Sequence, residues 1–232
     1  MKNLINFTKN YYNKSSFFEE FFSNEIKNNR IKFYKILTKL LILKPSYKVL
    51  DVGATPVLEE KENIFLRCYP YKNKITILSN QDCKILKKKF KGVKVIISDA
   101  LNSNIVKNKY DIVFSNATIE HVGSNFNQLR FVKELYRIGR RYICIVTPNK
   151  YFPIDFHTKL PLINILPNFI YRKILAFIGY EFFSLEENLN LLSYNDLIKI
   201  LEKADIKNYK IIQYRYFGFV SHHMVVLKKD TN

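Results

Sequence analysis

The chain of 232 residues carries a formal net charge of +18, and 47% of its residues are hydrophobic and 15% aromatic. This composition excludes an intrinsically disordered chain and is sufficient for one globular domain with a substantial core. The charge suggests an acidic partner. However, 30 of the 38 basic residues are lysine, whereas proteins that read nucleic-acid bases depend heavily on arginine. We therefore expect no specific nucleic-acid partner, and only a peripheral attraction to anionic membranes or acidic substrates.

The cysteines and the start of the sequence indicate a cytoplasmic protein. Cys68, Cys83 and Cys144 are odd in number and show no CxxC spacing, which is typical of reduced thiols. The first residues lack the apolar core of a signal peptide, and no apolar run reaches the length of a membrane span.

In chain order, one long helix is followed by alternating strands and helices. The periodicity predicts a helix over residues 17–43, which Pro45 closes. Apolar runs then predict strands, at 48–52, 74–79, 93–98, 110–115, 141–147, 210–217 and 221–229. Helical patterns lie between them, with the clearest at 124–138 and 194–204. The alternation predicts an α/β fold with a mostly parallel sheet covered on both faces and an antiparallel last strand.

The segment after the fifth strand differs from the other connections. Residues 148–190 contain four of the seven prolines and many aromatic residues, which favours a cap or lid over a ligand site. An ordinary helical insertion that packs on the sheet edge is the alternative. With no repeats and no linker, we predict one domain over 1–232, with an N-terminal helical segment at 1–44 and this cap.

Small and polar residues follow each of the first four strands. These ends converge in an open parallel sheet, because ligands bind outside the carboxyl ends of its strands. The first strand runs into Gly53, where the backbone can approach a ligand closely. The strand ends read Asp51-Val52-Gly53-Ala54-Thr55, Ser79-Asn80-Gln81-Asp82, Ser98-Asp99-Ala100-Leu101 and Ser115-Asn116-Ala117-Thr118-Ile119-Glu120-His121.

These motifs carry a family resemblance. "VLDVG", then "SDAL" and then "YDIVFSNATIEHVG" resemble class I S-adenosylmethionine-dependent methyltransferases, most closely the small-molecule, type 11-like enzymes. "TPNKYFPIDFHTKLPLINILP" is similar to a segment found in a bacterial subset of that family. The resemblance covers about residues 45–228. It implies a doubly wound, Rossmann-like sheet of seven strands that binds S-adenosyl-L-methionine across its C-terminal edge.

The resemblance also assigns cofactor contacts. Asp51, Gly53, Ala54 and Thr55 would surround the methionine end, where a carboxylate can meet the cofactor's amino group. Asp99 would accept a hydrogen bond from the adenine amino group, with Ala100 and Leu101 beside the ring. Asn116 and Ala117 would line the floor under the methyl group.

Two positions depart from the family pattern. The glycines that usually follow Gly53 are replaced by Thr55 and Val57, but the cofactor carries no phosphate and needs no glycine-rich phosphate cradle. Ser79 stands where the family usually has an acidic residue for the ribose hydroxyls, and Asp82 follows three residues later. Either Asp82 reaches back to the ribose, or the ribose is bound more weakly.

The catalytic candidates are His121, Glu120 and His157. Imidazole is suited to take a proton from a hydroxyl near neutral pH, and His121 follows the fourth strand, where the acceptor would lie. A Glu–His pair that only stabilises a helix start is the alternative. Asp155 is a further candidate in the cap. His222 and His223 point to opposite faces of a strand, no zinc spacing is present, and we predict no metal site.

The sequence thus predicts a methyltransferase that acts on a small-molecule acceptor, through O-methylation of a hydroxyl. The acceptor could be a glycan or a lipid-linked compound reached by a cap lying on a membrane. Two alternatives stay open: an RNA methyltransferase, and a non-catalytic methyltransferase-like binding protein. The oligomeric state is not predicted.

Overall fold

The computed structural model describes residues 16–41 and 43–229. The first fifteen residues of the predicted N-terminal helical segment lie outside the described residues. The chain divides into two compact units, one formed by residues up to 43 together with 57–70, and one formed by 44–56 together with the rest of the chain from 71. The prediction of a single domain stays a prediction.

The smaller unit consists of two helices and the loop before the second. Helix α1 spans Ser16–Leu40 and helix α2 spans Ile64–Cys68. Arg30 donates a hydrogen bond to a Glu62 carboxylate oxygen at 2.7 Å and also bonds the Lys61 carbonyl. The Phe65 ring packs edge-on against Tyr34, at 5.8 Å between ring centroids. These contacts hold the loop before α2 against α1.

The larger unit contains one seven-stranded sheet in the order β3-β2-β1-β4-β5-β7-β6. Strands β1 to β5 pair in parallel, and β7 pairs antiparallel with both β5 and β6. The chain order reverses between β1 and β4, which is the switch point where doubly wound sheets bind ligands. The strands are Val49–Val52 (β1), Ile75–Ser79 (β2), Lys94–Ile97 (β3), Tyr110–Asn116 (β4), Gly139–Pro148 (β5), Tyr209–Tyr216 (β6) and Phe219–Lys228 (β7).

This unit also contains the remaining helices of the described residues. They are Lys84–Lys89 (α3), Asn125–Ile138 (α4), Asn168–Phe177 (α5), Glu181–Ser184 (α6) and Tyr194–Lys203 (α7). Helices α4 and α7 bury apolar side chains against one face of β1, β4, β5 and β7, in a cluster that includes Leu50, Phe131, Leu135, Leu197 and Val225. Because β1, β2 and β4 are almost fully buried, their runs of Val, Ile and Leu are the ones that a parallel sheet requires.

The cap, residues 148–190, has a small core of its own. Tyr171, Leu175 and Leu189 are buried together with Leu191, which directly follows the cap, and Leu160 and Phe183 pack against them. Helix α5 contributes the first two of these residues, and its apolar spacing places them on one face. The cap therefore does not depend on the sheet for all of its apolar burial.

The predicted fold class is confirmed. The strand order, the antiparallel last strands and the helices inserted after β5 are those expected of the seven-stranded α/β methyltransferase fold. Across the described ranges 16–41 and 43–229, we find no helix with the length and hydropathy needed to cross a bilayer.

Candidate active site

The ends of β3, β2, β1 and β4 lie side by side along one edge of the sheet, which we call the rim. Val52 pairs with Leu78 on one side and with Ser115 on the other, and Ser79 pairs with Ile97. Neighbouring strands lie about 4.8 Å apart, so the rim from β3 to β4 spans about 14 Å. The strand ends that the sequence predicted to converge therefore form a continuous row long enough for an extended nucleoside-containing ligand.

Gly53 occupies the centre of the rim, between β2 and β4. Its φ angle is +87°, a conformation that side chains other than glycine rarely adopt. A Cβ built on Gly53 would lie 2.1 Å from the Thr118 Oγ1 atom, so the space for a side chain is already filled. Gly53 N donates to the Leu78 carbonyl at 2.9 Å. Both the conformation and the close contact require glycine here.

The loop after Gly53 is fixed by side chains from the end of β2. The Ala54 carbonyl accepts hydrogen bonds from the Ser79 hydroxyl at 2.9 Å and from the Cys83 thiol at 3.3 Å. The two departures from the family pattern are thus connected, because Ser79 anchors the loop that lacks the usual glycines. Asp82 is exposed and accepts from the Lys84 backbone N–H at 3.0 Å, at the start of α3. Its carboxylate does not reach back to the rim in this conformation.

Asp51 is buried two residues before Gly53, and its carboxyl group makes no hydrogen bond within the described parts of the chain. Only 5% of its surface is exposed. Burial raises the pKa of Asp51 from its usual 3.8 to about 7, because removing water disfavours the charged form. A positively charged group brought beside it would restore the carboxylate.

The residues predicted for the adenine and methyl ends lie at opposite ends of the rim. Asp99 is exposed after β3 and its Oδ1 atom accepts from the Leu101 N–H at 2.9 Å. Ala100 and Leu101 are half-buried against the main apolar cluster. Asn116 ends β4, and Ala117 has a φ of +51° with its N–H bonded to the Val146 carbonyl. A positive φ in a residue other than glycine is a strained feature that is often found at functional sites.

Glu120 is fully buried in the turn after β4. Its Oε2 atom accepts a hydrogen bond from the Thr147 hydroxyl on β5 at 2.9 Å, whereas Oε1 has no hydrogen-bond partner among the described residues. The backbone of this turn is held from the other side, since the Glu120 carbonyl accepts from the Asn190 N–H and the Gln128 amide donates to the Ile119 and Asn190 carbonyls. Glu120 is therefore fixed in position while half of its carboxylate stays unsatisfied.

His121 and His157 come together although 36 residues separate them. Their Nε2 atoms are 3.1 Å apart, and their rings meet nearly perpendicular at 4.8 Å between centroids. The Nδ1 atom of His121 lies 2.7 Å from the Asn188 carbonyl oxygen. The His121 ring keeps an exposed edge, yet its loss of solvation, followed by the proximity of His157, lowers its pKa below the ordinary value.

Asp155 orients His157 and anchors the cap. One of its oxygens accepts from the His157 backbone N–H at 3.0 Å and lies 3.2 Å from the ring Nδ1. The other accepts from the hydroxyls of Thr158 and Tyr171 at 2.6 and 2.8 Å. Burial acts to raise the pKa of Asp155, but the contacts with His157 and Thr158 outweigh it and keep the pKa below its usual range. Asp155 is thus a buried, charged residue that positions His157.

Comparisons with known proteins identify the fold. No family model and no curated protein sequence matches the chain. Among solved structures, it is similar to a S-adenosylmethionine-dependent methyltransferase from Aquifex aeolicus, with a TM-score of 0.55 and 18% identity over 83% of this chain and 87% of that one. The chain has the class I methyltransferase fold. Its predicted resemblance to this family is confirmed at the level of the fold.

Two further structures with the class I methyltransferase fold show the range of the likeness. A methyltransferase from Methanosarcina mazei has a TM-score of 0.52 and 13% identity, over 81% of this chain and 94% of that one. A phosphoethanolamine N-methyltransferase from Haemonchus contortus, in complex with phosphomonomethylethanolamine and S-adenosylhomocysteine, has a TM-score of 0.56 and 14% identity. That alignment covers 84% of this chain and 52% of the other protein.

Several residues of this candidate site were not predicted from the sequence. Thr118 fills the space beside Gly53, Thr147 bonds Glu120, and the Asn188 carbonyl bonds the His121 ring. Thr118 lies in sequence between the predicted candidates Ala117 and Glu120, so its position in the turn after β4 was a signal for a role in the site. The sequence gives no such signal for Thr147 and Asn188. The strand order places Thr147 beside Glu120, and the path of the cap places Asn188 beside His121.

Proposed function

We propose that the chain is an S-adenosylmethionine-dependent methyltransferase that methylates a hydroxyl oxygen of a small-molecule acceptor. One observation carries the proposal: the buried, unpaired carboxyl group of Asp51 lies beside the glycine turn at the switch point of a class I methyltransferase fold. A buried carboxyl group without a hydrogen bond is unfavourable unless a ligand satisfies it. The ammonium group of the cofactor's methionine end has the required charge.

The remaining cofactor contacts follow the rim. Gly53, Ala54 and Thr55 would present backbone to the methionine end, and Asn116 and Ala117 would lie under the methyl group. Asp99 would accept from the adenine amino group, with Ala100 and Leu101 against the ring. Ser79 is the rim residue nearest to the expected ribose position, and Asp82 would have to leave Lys84 to assist it. The solved structures with this fold and bound S-adenosylhomocysteine support the choice of cofactor.

The acceptor would lie beside Glu120, His121 and His157, where the cap meets the rim. In the transfer, the acceptor oxygen attacks the methyl carbon, the carbon–sulfur bond breaks, and S-adenosylhomocysteine leaves with the electron pair. The hydroxyl proton must depart. Because the Asn188 carbonyl can only accept, the His121 Nδ1 atom donates to it, and the His121 Nε2 atom is left as the base for this proton. Since the methyl group is already activated, the protein mainly has to align the reacting atoms.

The surface of the cap favours an amphiphilic acceptor, such as a lipid-linked glycan. Phe169 is 64% exposed and Phe177 is 91% exposed, and Lys173 is exposed on the same helix, α5. Exposed aromatic side chains beside basic ones suit the interface of an anionic membrane. The strongly positive net charge of the chain acts in the same direction.

Isothermal titration with S-adenosylmethionine tests the proposal. We expect saturable binding to the wild type, and no detectable binding to Gly53→Arg, because an arginine side chain would displace Thr118 and fill the rim. Gly218→Arg is the matched control. Gly218 also has a positive φ, but its side chain would enter open space in the β6–β7 turn. Equal affinity of Gly53→Arg and the wild type, or no binding to the wild type at millimolar cofactor, would contradict the proposal.

A non-catalytic methyltransferase-like binding protein is the second candidate. The observation in its favour is that Ser79, at the position expected to bind the ribose, bonds the Ala54 carbonyl, while the nearby Asp82 carboxylate accepts from the Lys84 N–H. Cofactor binding without transfer to any acceptor in a mass-spectrometric screen for products heavier by one CH₂ would favour this candidate.

A further inference from the structure

The ring nitrogens of His121 and His157 have defined roles. The Asn188 carbonyl oxygen, 2.7 Å from His121 Nδ1, can only accept, so this Nδ1 atom carries a hydrogen. His157 Nδ1 faces Asp155, whose two oxygens already accept from a backbone N–H and two hydroxyls, so this Nδ1 atom carries a hydrogen as well. In two neutral rings, both Nε2 atoms therefore hold lone pairs, and they face each other at 3.1 Å. Two lone pairs at this distance repel unless a positive charge lies between them.

The third group at this place is the unsatisfied half of the Glu120 carboxylate. Its Oε1 atom is fully buried, has no hydrogen-bond partner among the described residues and lies 3.8 Å from His157 Nε2. One ligand atom from each of the three residues lies within 4.8 Å of the others. A buried carboxylate oxygen without a partner is costly, and a bound cation satisfies it together with both nitrogen lone pairs.

We propose that Glu120 Oε1, His121 Nε2 and His157 Nε2 bind one divalent transition-metal ion of the zinc type. Zinc binds imidazole nitrogen and carboxylate oxygen at about 2.0–2.2 Å, so two ligand atoms at tetrahedral angles lie about 3.3 Å apart. The observed 3.1 Å between the two nitrogens matches this spacing. Two imidazoles and one carboxylate suit zinc, cobalt or iron, whereas magnesium and calcium prefer an all-oxygen site.

The groups behind the ligands have the arrangement that metal sites use. Each histidine donates its Nδ1 hydrogen, one to the Asn188 carbonyl and the other to the Asp155 carboxylate, and the second oxygen of Glu120 accepts from Thr147. Such contacts fix the ring orientations and raise the basicity of the ligands. Because the cap supplies His157 and the turn after β4 supplies the other two ligands, a bound ion would also join the cap to the rim.

Three protein ligands leave at least one coordination position open, as in catalytic metal sites. This step rests on the proposed function. The acceptor's hydroxyl oxygen would occupy the open position, and the metal would lower the pKa of that hydroxyl so that its proton passes to water. The metal-bound oxygen would then attack the methyl carbon, as the carbon–sulfur bond breaks. With the ion bound, His121 is a ligand and is no longer the base, and the acceptor class narrows to compounds that coordinate through the oxygen to be methylated.

A Co²⁺ titration of the purified full-length chain, first treated with a chelator, tests metal binding without any cofactor. We expect one Co²⁺ per chain, visible d–d bands typical of four- or five-coordinate cobalt, and displacement of the bands by Zn²⁺. Loss of a ligand in His157→Ala or Glu120→Gln should weaken binding by more than about 100-fold, and Asp155→Asn, behind His157, by about 10- to 100-fold. Asp205→Asn is the matched control and should leave the affinity unchanged, because Asp205 is an exposed carboxylate after α7 that pairs with Lys207.

The contradicting results are equally specific. Absence of Co²⁺ binding to the wild type would refute the metal site. Wild-type affinity in both His157→Ala and Glu120→Gln would place the ion elsewhere. Because Glu120 is fully buried and its variant can fail to fold, the half-buried His157 provides the second variant. Cofactor titration of the chelator-treated chain separates the two proposals: cofactor binding without metal binding refutes only the metal site, and metal binding without cofactor binding refutes only the methyltransferase.

Discussion

The buried carboxyl group of Asp51 makes cofactor binding depend on pH. Its pKa is about 7 in the free protein, whereas the proposed ion pair with the cofactor's ammonium group requires the charged form. Binding must then release a proton below pH 7. If only the ionised form binds, the dissociation constant should rise by about 30-fold between pH 8 and pH 5.5. Isothermal titration with S-adenosylhomocysteine, which keeps the amino group and is chemically more stable, measures this change.

Two variants separate Asp51 from other titrating groups. Asp51→Asn should bind weakly and with a nearly constant dissociation constant over the same pH range. Asp205→Asn, which removes an exposed carboxylate near α7, should keep the wild-type profile. A wild-type affinity that does not change with pH, or a pH profile that survives in Asp51→Asn, would refute the ion pair.

The same pKa shift makes the unfolding free energy of the free protein depend on pH. A pKa raised from 3.8 to about 7 means that the stabilising contribution of neutral Asp51 is complete below pH 3.8 and is lost as the pH rises through 7. Asp51→Asn should therefore gain up to about 4 kcal/mol of unfolding free energy, relative to the wild type, between pH 4 and pH 8. Urea denaturation at the two pH values measures this gain, and an equal offset at both would contradict the shift.

Three other predictions concern the rim, the core and the cap. Gly53→Ala should lower the unfolding free energy by about 1 kcal/mol, because alanine is strained at a positive φ. It should lower it further because the added Cβ would clash with Thr118. A double-mutant cycle with Thr118→Gly should show coupling, and strict additivity would contradict the contact. His223 is buried with its pKa lowered to about 4 by burial, so its contribution to stability is present above pH 6.5 and is lost as the pH falls through 4. His223→Phe should accordingly gain about 2 kcal/mol relative to the wild type between pH 8 and pH 5 in urea denaturation, whereas no gain would show that the ring is solvated. The chain should float with anionic liposomes, and Phe177→Glu should reduce the fraction that floats. Equal flotation of the variant and the wild type would exclude the cap as the membrane contact.

Strand positions could be predicted from the sequence because the central strands are buried on both faces. A fully buried parallel strand is a short run rich in Val, Ile and Leu, and the predicted runs begin and end within one residue of β1 and β2. The cap was predicted as a helical insertion after the fifth strand, but the bounds of its helices α5 and α6 were not predicted. Its small core around Tyr171 and Leu175 follows from tertiary packing rather than from local pattern.

The candidate site also contains residues that the sequence predicts and contacts that it does not. The rim residues could be predicted because parallel strands must end at one edge, so each strand end gives a local signal for a shared site. The contact between His121 and His157 could not, since it depends on where the cap returns over the rim. The role of Ser79 was also hidden. Its hydroxyl bonds the Ala54 carbonyl 25 residues earlier, and no spacing rule connects the two positions.

A crystal structure of the chain with S-adenosylhomocysteine tests the central claim most directly. We predict the ligand along the rim, with its amino group at the Asp51 carboxylate, its backbone contacts at Gly53 and its adenine beside Asp99. A ligand bound away from these three residues, or crystals that contain no ligand at saturating concentration, would contradict the claim that this rim is the cofactor site.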